Sequence, residues 1–135
     1  VTLRSVNPEV LGPPRGYNNG LRGRGEWLFV AGQVGWGPDQ RLVSPEFAEQ
    51  FVRAIDNVLA VVHEAGGSPQ DVARMTVYVT DKAAYVAARK AIGAAWRERF
   101  GRHYPAMALV EVKALLEDGA LCEIEATALL PEAMA

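Results

Sequence analysis

The chain has 135 residues, half of them hydrophobic, with 16 acidic against 14 basic side chains and a formal net charge of −2. That length and apolar share suit a single domain over residues 1–135 with a real core. They come without a basic run for nucleic acid, without an apolar run long enough to cross a membrane, and with one cysteine, Cys122, so that an internal disulfide is excluded.

In chain order, residues 8–25, "PEVLGPPRGYNNGLRGRG", are rich in Gly and Pro and predict turns around a short strand, with room for a further strand before them. "EWLFVAGQVG" (26–35) predicts an aromatic and apolar strand that stops at glycine. The period then changes. Ser44 suits an N-cap and Pro45 the first helical position, Phe51, Ile55, Val58, Leu59 and Val62 follow at helical spacing, and Gly66-Gly67 ends the run. "DVARMTVYVT" (71–80) alternates as a strand. Asp81 suits the cap of a second helix with Tyr85, Ala88, Ile92, Trp96 and Phe100 on one stripe, closed by Gly101. "YPAMALVEV" (104–112) and "ALCEIEATALL" (120–130) predict two more strands.

The order β-β-α-β-α-β-β is that of an α+β fold, a mixed sheet with two helices on one face. Strand side chains alternate between faces, so Cys122, Ile124, Ala126, Ala128 and Leu130 form a core face, with Cys122 as a buried, inert thiol. Leu121, Glu123, Glu125, Thr127 and Leu129 then join Arg74, Thr76 and Tyr78, and Met107, Leu109 and Glu111, on the other face. Two helices cannot cover both faces, so a second copy of the chain is expected against this one.

The glycine runs "GLRGRG" and "GQVGWG" do not fit a dinucleotide fingerprint. His63 and His103 lack ligand-spaced partners, so no metal is expected. Arg15, Arg22 and Arg24 read as loop surface. Glu123 and Glu125 stand out, because a carboxylate in a partly dry cleft suits general acid–base work. The alternative for either is an interfacial glutamate paired with a neighbour's cation.

With these pieces in place the chain resembles the RidA family (YjgF/YER057c/UK type) of enamine/imine deaminases. The resemblance rests on Gly16-Tyr17, "AGQV" (31–34), "AIDNVLAVVHEAG" (54–66), "VARMTVYVTD" (72–81), "YPAMALVEV" and "EIEATAL" (123–129). It implies a chorismate-mutase-like fold and a homotrimer with a central barrel, helices outside and clefts between subunits. It also implies hydrolysis of reactive 2-enamines and 2-imines to a carbonyl product and ammonia, with no cofactor. By position it makes Tyr17 the cleft tyrosine and Glu123 the residue that orients the attacking water. Ala31, where many members have serine, and Gly32 line the pocket with Met107, Ala108 and Leu109, whose backbone groups help polarise the imine carbon. The large departure is Met107, which stands where deaminating members have an arginine that grips the substrate carboxylate. A lost charge-assisted bond is worth roughly 1.5–3 kcal/mol, about 10- to 100-fold in rate or affinity. Arg102, Lys113, Arg24 and Arg74 are the candidate replacement cations, and nothing in the sequence chooses among them.

The reading is therefore a cytoplasmic, cofactor-free homotrimer that deaminates an enamine or imine of non-standard preference, with Glu123 and Tyr17 in catalytic roles. The rival is a non-catalytic small-molecule-binding or sensing trimer with an apolar intersubunit cleft. Pericyclic chemistry needs cations around a dicarboxylate and is opposed by Met107. The ribonuclease and translation-inhibition activities linked to the family find no basic patch here. Neither nucleic acid nor membrane is expected as a partner.

Overall fold

A computed structural model describes residues 3–132. Strands β1 (Arg4–Val6) and β2 (Gly20–Arg22) form a small antiparallel ribbon. The main sheet contains β3 (Glu26–Gln33), β4 (Val72–Val79), β5 (Ala106–Glu111) and β6 (Cys122–Leu130) in the order β3-β6-β4-β5. The β4–β5 pair is parallel and the other two pairs are antiparallel. Helices α1 (Phe47–Glu64) and α2 (Lys82–Phe100) lie on one face, as the α+β reading expects.

The core follows the two periods. Ala54, Ile55, Val58 and Val62 of α1 are fully buried against Val77, Val79, Cys122, Ile124 and Ala128 of the sheet. Burial of an aliphatic side chain stabilises by about 1.5–3 kcal/mol each. Asp81 caps α2 by accepting from the Ala83 amide at 2.9 Å. The start of α1 differs from expectation: its N-cap is Glu46, and the Ser44 hydroxyl instead accepts from the Glu46 amide at 2.9 Å. The serine thus makes a turn before Pro45 rather than capping the helix. Arg99 of α2 forks onto Asp56 of α1, and this pairing raises the guanidinium's pKa.

Gln50 is the buried polar residue that matters most for positioning. Its Nε2 donates to the carbonyls of Ser44 (2.9 Å) and Gly119 (3.1 Å), and its Oε1 accepts from the Leu121 amide (2.8 Å). These bonds tie the first turn of α1 to the chain entering β6. A close approach at Gly35 supports the same junction, since a Cβ there would lie 2.5–2.9 Å from the Gln50 backbone.

One expectation about faces is overturned. Parallel pairing sets Met107 opposite Met75 and Leu109 opposite Val77, and both partners point into the core. Met107 and Leu109 therefore face the helices and pack against the core cluster. Glu111 turns to the same side and accepts from the Lys82 amide at the start of α2 (2.8 Å). Alternation within β5 was legible, but which parity faces inward depends on register with β4. The uncovered face carries Ala108 and Val110 instead, and it also carries Trp27 and Phe29, which are 65% and 72% exposed.

Candidate functional site

The first half of the site is a bulge. Register with β6 passes from Val30↔Ala126 to Gln33↔Ile124, so Ala31 and Gly32 together oppose Glu125. The Ala31 carbonyl accepts from Gln33 Nε2 at 3.0 Å. Glu123, on the uncovered face of β6, lays its carboxylate over Gly32, where a Cβ would overlap the carboxylate and lie 2.8 Å from Cδ. Only glycine leaves that space. No side-chain hydrogen bond or ion pair holds Glu123 among the described residues. Its neighbour Glu125 accepts a 2.5 Å bond from the Tyr78 hydroxyl. Glu125 as acceptor, then desolvation, raise the Tyr78 phenol above its ordinary value. Within the protomer Glu125 is thus held by a phenol, where an ion pair was the alternative. Tyr78 went unrecognised as its partner, though the two residues share the bare face.

The second half lies at the far side of β4, on the outer edge strand β5. Asn18 bridges to Ala106, its amide donates to the Pro105 carbonyl (3.1 Å) and its Nδ2 to the Tyr104 carbonyl (2.6 Å). This anchoring sets Tyr17 beside Arg74, Ala106 and Ala108 in an open depression. Tyr17 and Ala108 are exposed.

The Met107 and Leu109 side chains turn to the helix side of β5, although Met107 also borders the Tyr17 depression. They floor a cavity of about 320 Å³ between α2 and β4–β5, walled by Tyr85, Ile92 and Trp96 and bordered by Arg15 and Arg89. Sequence reasoning missed Arg89 and left Arg15 as loop surface. The available signal was Arg89's place beside the apolar stripe of α2, four residues after Tyr85. Of the cations weighed before, only Arg74 borders the Tyr17 depression. One protomer thus brings Ala31, Gly32 and Glu123 together, and brings Tyr17 to the backbone of 106–108, but strand β4 separates the two sets.

Other sequence candidates are structural. Cys122 is fully buried, and burial pushes its thiol up to about 12. The His103 ring lies 2.7 Å from the Val72 carbonyl.

The family model described as Endoribonuclease L-PSP matches residues 8–130. The chain belongs to the RidA/YjgF family. A RutC family protein of Pyrococcus abyssi is 35% identical over 122 residues, 90% of this chain and 89% of the relative. A protein of Escherichia coli K12 named 2-iminobutanoate/2-iminopropanoate deaminase is 31% identical over 131 residues, covering 94% and 95%. The solved structure of a Rid-family protein from Yersinia pestis superposes with a TM-score of 0.83 at 33% identity, covering 96% of this chain and all of that one. RidA/YjgF membership and the two-helix mixed sheet agree on the chorismate-mutase-like α+β fold. No helix among the described residues is long and apolar enough to cross a membrane.

Proposed function

We propose that this RidA/YjgF protein is a homotrimeric, cytoplasmic deaminase, one domain over residues 1–135, that hydrolyses a reactive enamine or imine to a carbonyl product and ammonia without a cofactor. The observation that carries the reading is the Glu123 carboxylate, without a side-chain partner among the described residues, laid over the side-chain-free Gly32 at a strand bulge. A water held there gives a proton to Glu123 as its oxygen bonds to the imine carbon and the C=N pair moves to nitrogen, and Glu123 passes that proton to the nitrogen to give a carbinolamine. Glu123 then takes the hydroxyl proton of the carbinolamine and delivers it to the amino nitrogen, so that the C–N bond breaks, ammonia leaves and the C=O forms. Backbone groups of Met107, Ala108 and Leu109 polarise the imine, and Tyr17 closes the pocket. The similarity to the E. coli 2-iminobutanoate/2-iminopropanoate deaminase supports this class of reaction.

The split site supports the assembly. One half lies at β3–β6 and the other on β5 at the opposite side of the sheet, so copies joined head to tail bring unlike halves together, and a head-to-tail contact whose rotation closes gives a ring. The exposed Trp27 and Phe29 support burial of that face between copies. A second reading, binding without turnover, is favoured by the apolar floor of Met107 and Leu109. Ammonia release over a panel of freshly generated imines separates the two. Wild type should release ammonia, and Glu123→Gln should stay assembled and lose roughly 100-fold, the scale of a general acid–base group. Equal rates in both proteins would remove Glu123 from the chemistry.

A further inference from the structure

The cavity under α2 combines three features. Its floor is the pair of side chains that sequence placed in the cleft, Met107 and Leu109, and its wall is aromatic and aliphatic. Two guanidiniums, Arg15 and Arg89, border it. Neither is ion-paired among the described residues, whereas Arg99 on the same helix as Arg89 is held by Asp56. A cation with a carboxylate partner of its own is spent on structure, and these two are not.

We infer that Arg89, assisted by Arg15, supplies the carboxylate grip that Met107 cannot, and that the cavity selects 2-imino acids with a bulky apolar side chain. This deepens the deaminase proposal and rests on it for the substrate's imine. Local structure supports the geometry. Gly16 has φ +73°, a turn that suits glycine, and it lies between Arg15 at the cavity and Tyr17 at the β5 depression. One turn thus serves both sides of the edge strand. Gly93, one helical turn after Arg89, presents no side chain to the cavity. A glycine in mid-helix costs about 0.5–1 kcal/mol relative to alanine, and a Cβ here would lie 3.4 Å from the Arg97 guanidinium.

Residue 107 lines the same cavity as Arg15 and Arg89. Moving the cation from the sheet to α2 leaves the floor apolar. The volume freed suits a branched or aromatic side chain, while a planar guanidinium at the rim offers paired donors to a carboxylate.

The test uses 4-methyl-2-oxopentanoate, a stable product-like acid, and its primary amide, with calorimetric binding to the full-length assembled protein. Wild type should bind the acid better than pyruvate. Arg89→Gln should weaken the acid by about 10- to 100-fold and leave the amide unchanged, as expected for one charged hydrogen-bonded contact. Arg15→Gln should act in the same direction with a smaller effect. Arg89→Gln combined with Met107→Arg should recover affinity, with preference shifted toward pyruvate. Both arginines are exposed, so the folded assembly should survive. Unchanged acid binding in Arg89→Gln, or equal loss of acid and amide, would overturn the inference. Failure of the deaminase reading looks different: Arg89-dependent acid binding with no ammonia from any imine. Imine turnover that ignores Arg89 would sink the inference and leave the deaminase reading intact.

Discussion

Gly32→Ala tests the placement of Glu123 more sharply than removing the carboxylate does. A Cβ at residue 32 would overlap the Glu123 carboxylate and lie 2.8 Å from its Cδ and 3.0 Å from its Cγ. The three nearest atoms all belong to that flexible side chain, and Gly32 is not among the positive-φ glycines. Alanine therefore fits the backbone once Glu123 moves. Forcing a side chain about 30° off its rotamer costs about 0.5–1.5 kcal/mol. Replacing glycine at a compatible position stabilises by about 0.4–1 kcal/mol through the unfolded chain. The net change should stay within about 1 kcal/mol by these two figures. Activity should fall roughly 100-fold or more, because the displaced carboxylate no longer positions water. Gly35→Ala is the control: its Cβ meets the Gln50 backbone at 2.5–2.9 Å, which cannot swing away. That variant should lose about 1–3 kcal/mol as an overpacked site. Urea unfolding and ammonia release on the same samples read both effects. If Gly32→Ala deaminates like wild type, or is destabilised as much as Gly35→Ala, the carboxylate is not held where the bulge places it.

Three further outcomes are expected. Phe29→Asp or Leu129→Asp puts a charge on the uncovered sheet face, so sedimentation should show loss of a species near three times 14.6 kDa, with helicity kept in the released protomer. Gln50→Leu strips partners from two carbonyls and one amide, all part-buried, and should cost about 3 kcal/mol in denaturant unfolding, at about 1 kcal/mol net for each hydrogen bond lost. Cys122 should resist a thiol reagent at pH 8 until the protein unfolds. Its raised pKa means that its contribution to stability is complete below its ordinary value near 9 and is lost progressively as pH rises from there to about 12, so a thiol reacting in the native protein would contradict the burial.

The elements themselves were legible because two periods are written plainly into this chain. The stripe Phe51–Ile55–Val58–Leu59–Val62 and the alternation Cys122–Ile124–Ala126–Ala128–Leu130 each bury one face, and no other local structure does so. The conspicuous position of Glu123 and Glu125 on the opposite face of β6 follows from that same alternation, and the departure at Met107 was legible only through the resemblance to the family. Tertiary structure decided what alternation cannot. Parallel pairing with β4 turned Met107 and Leu109 toward the helices, because a strand of suitable parity becomes inner or outer only through its register. The bulge that sets Ala31 and Gly32 beneath Glu123 is a property of two strands together. Arg89 and Arg15, 74 residues apart in the chain, border one cavity only because α2 folds over β5, a long-range closure that local patterns do not encode.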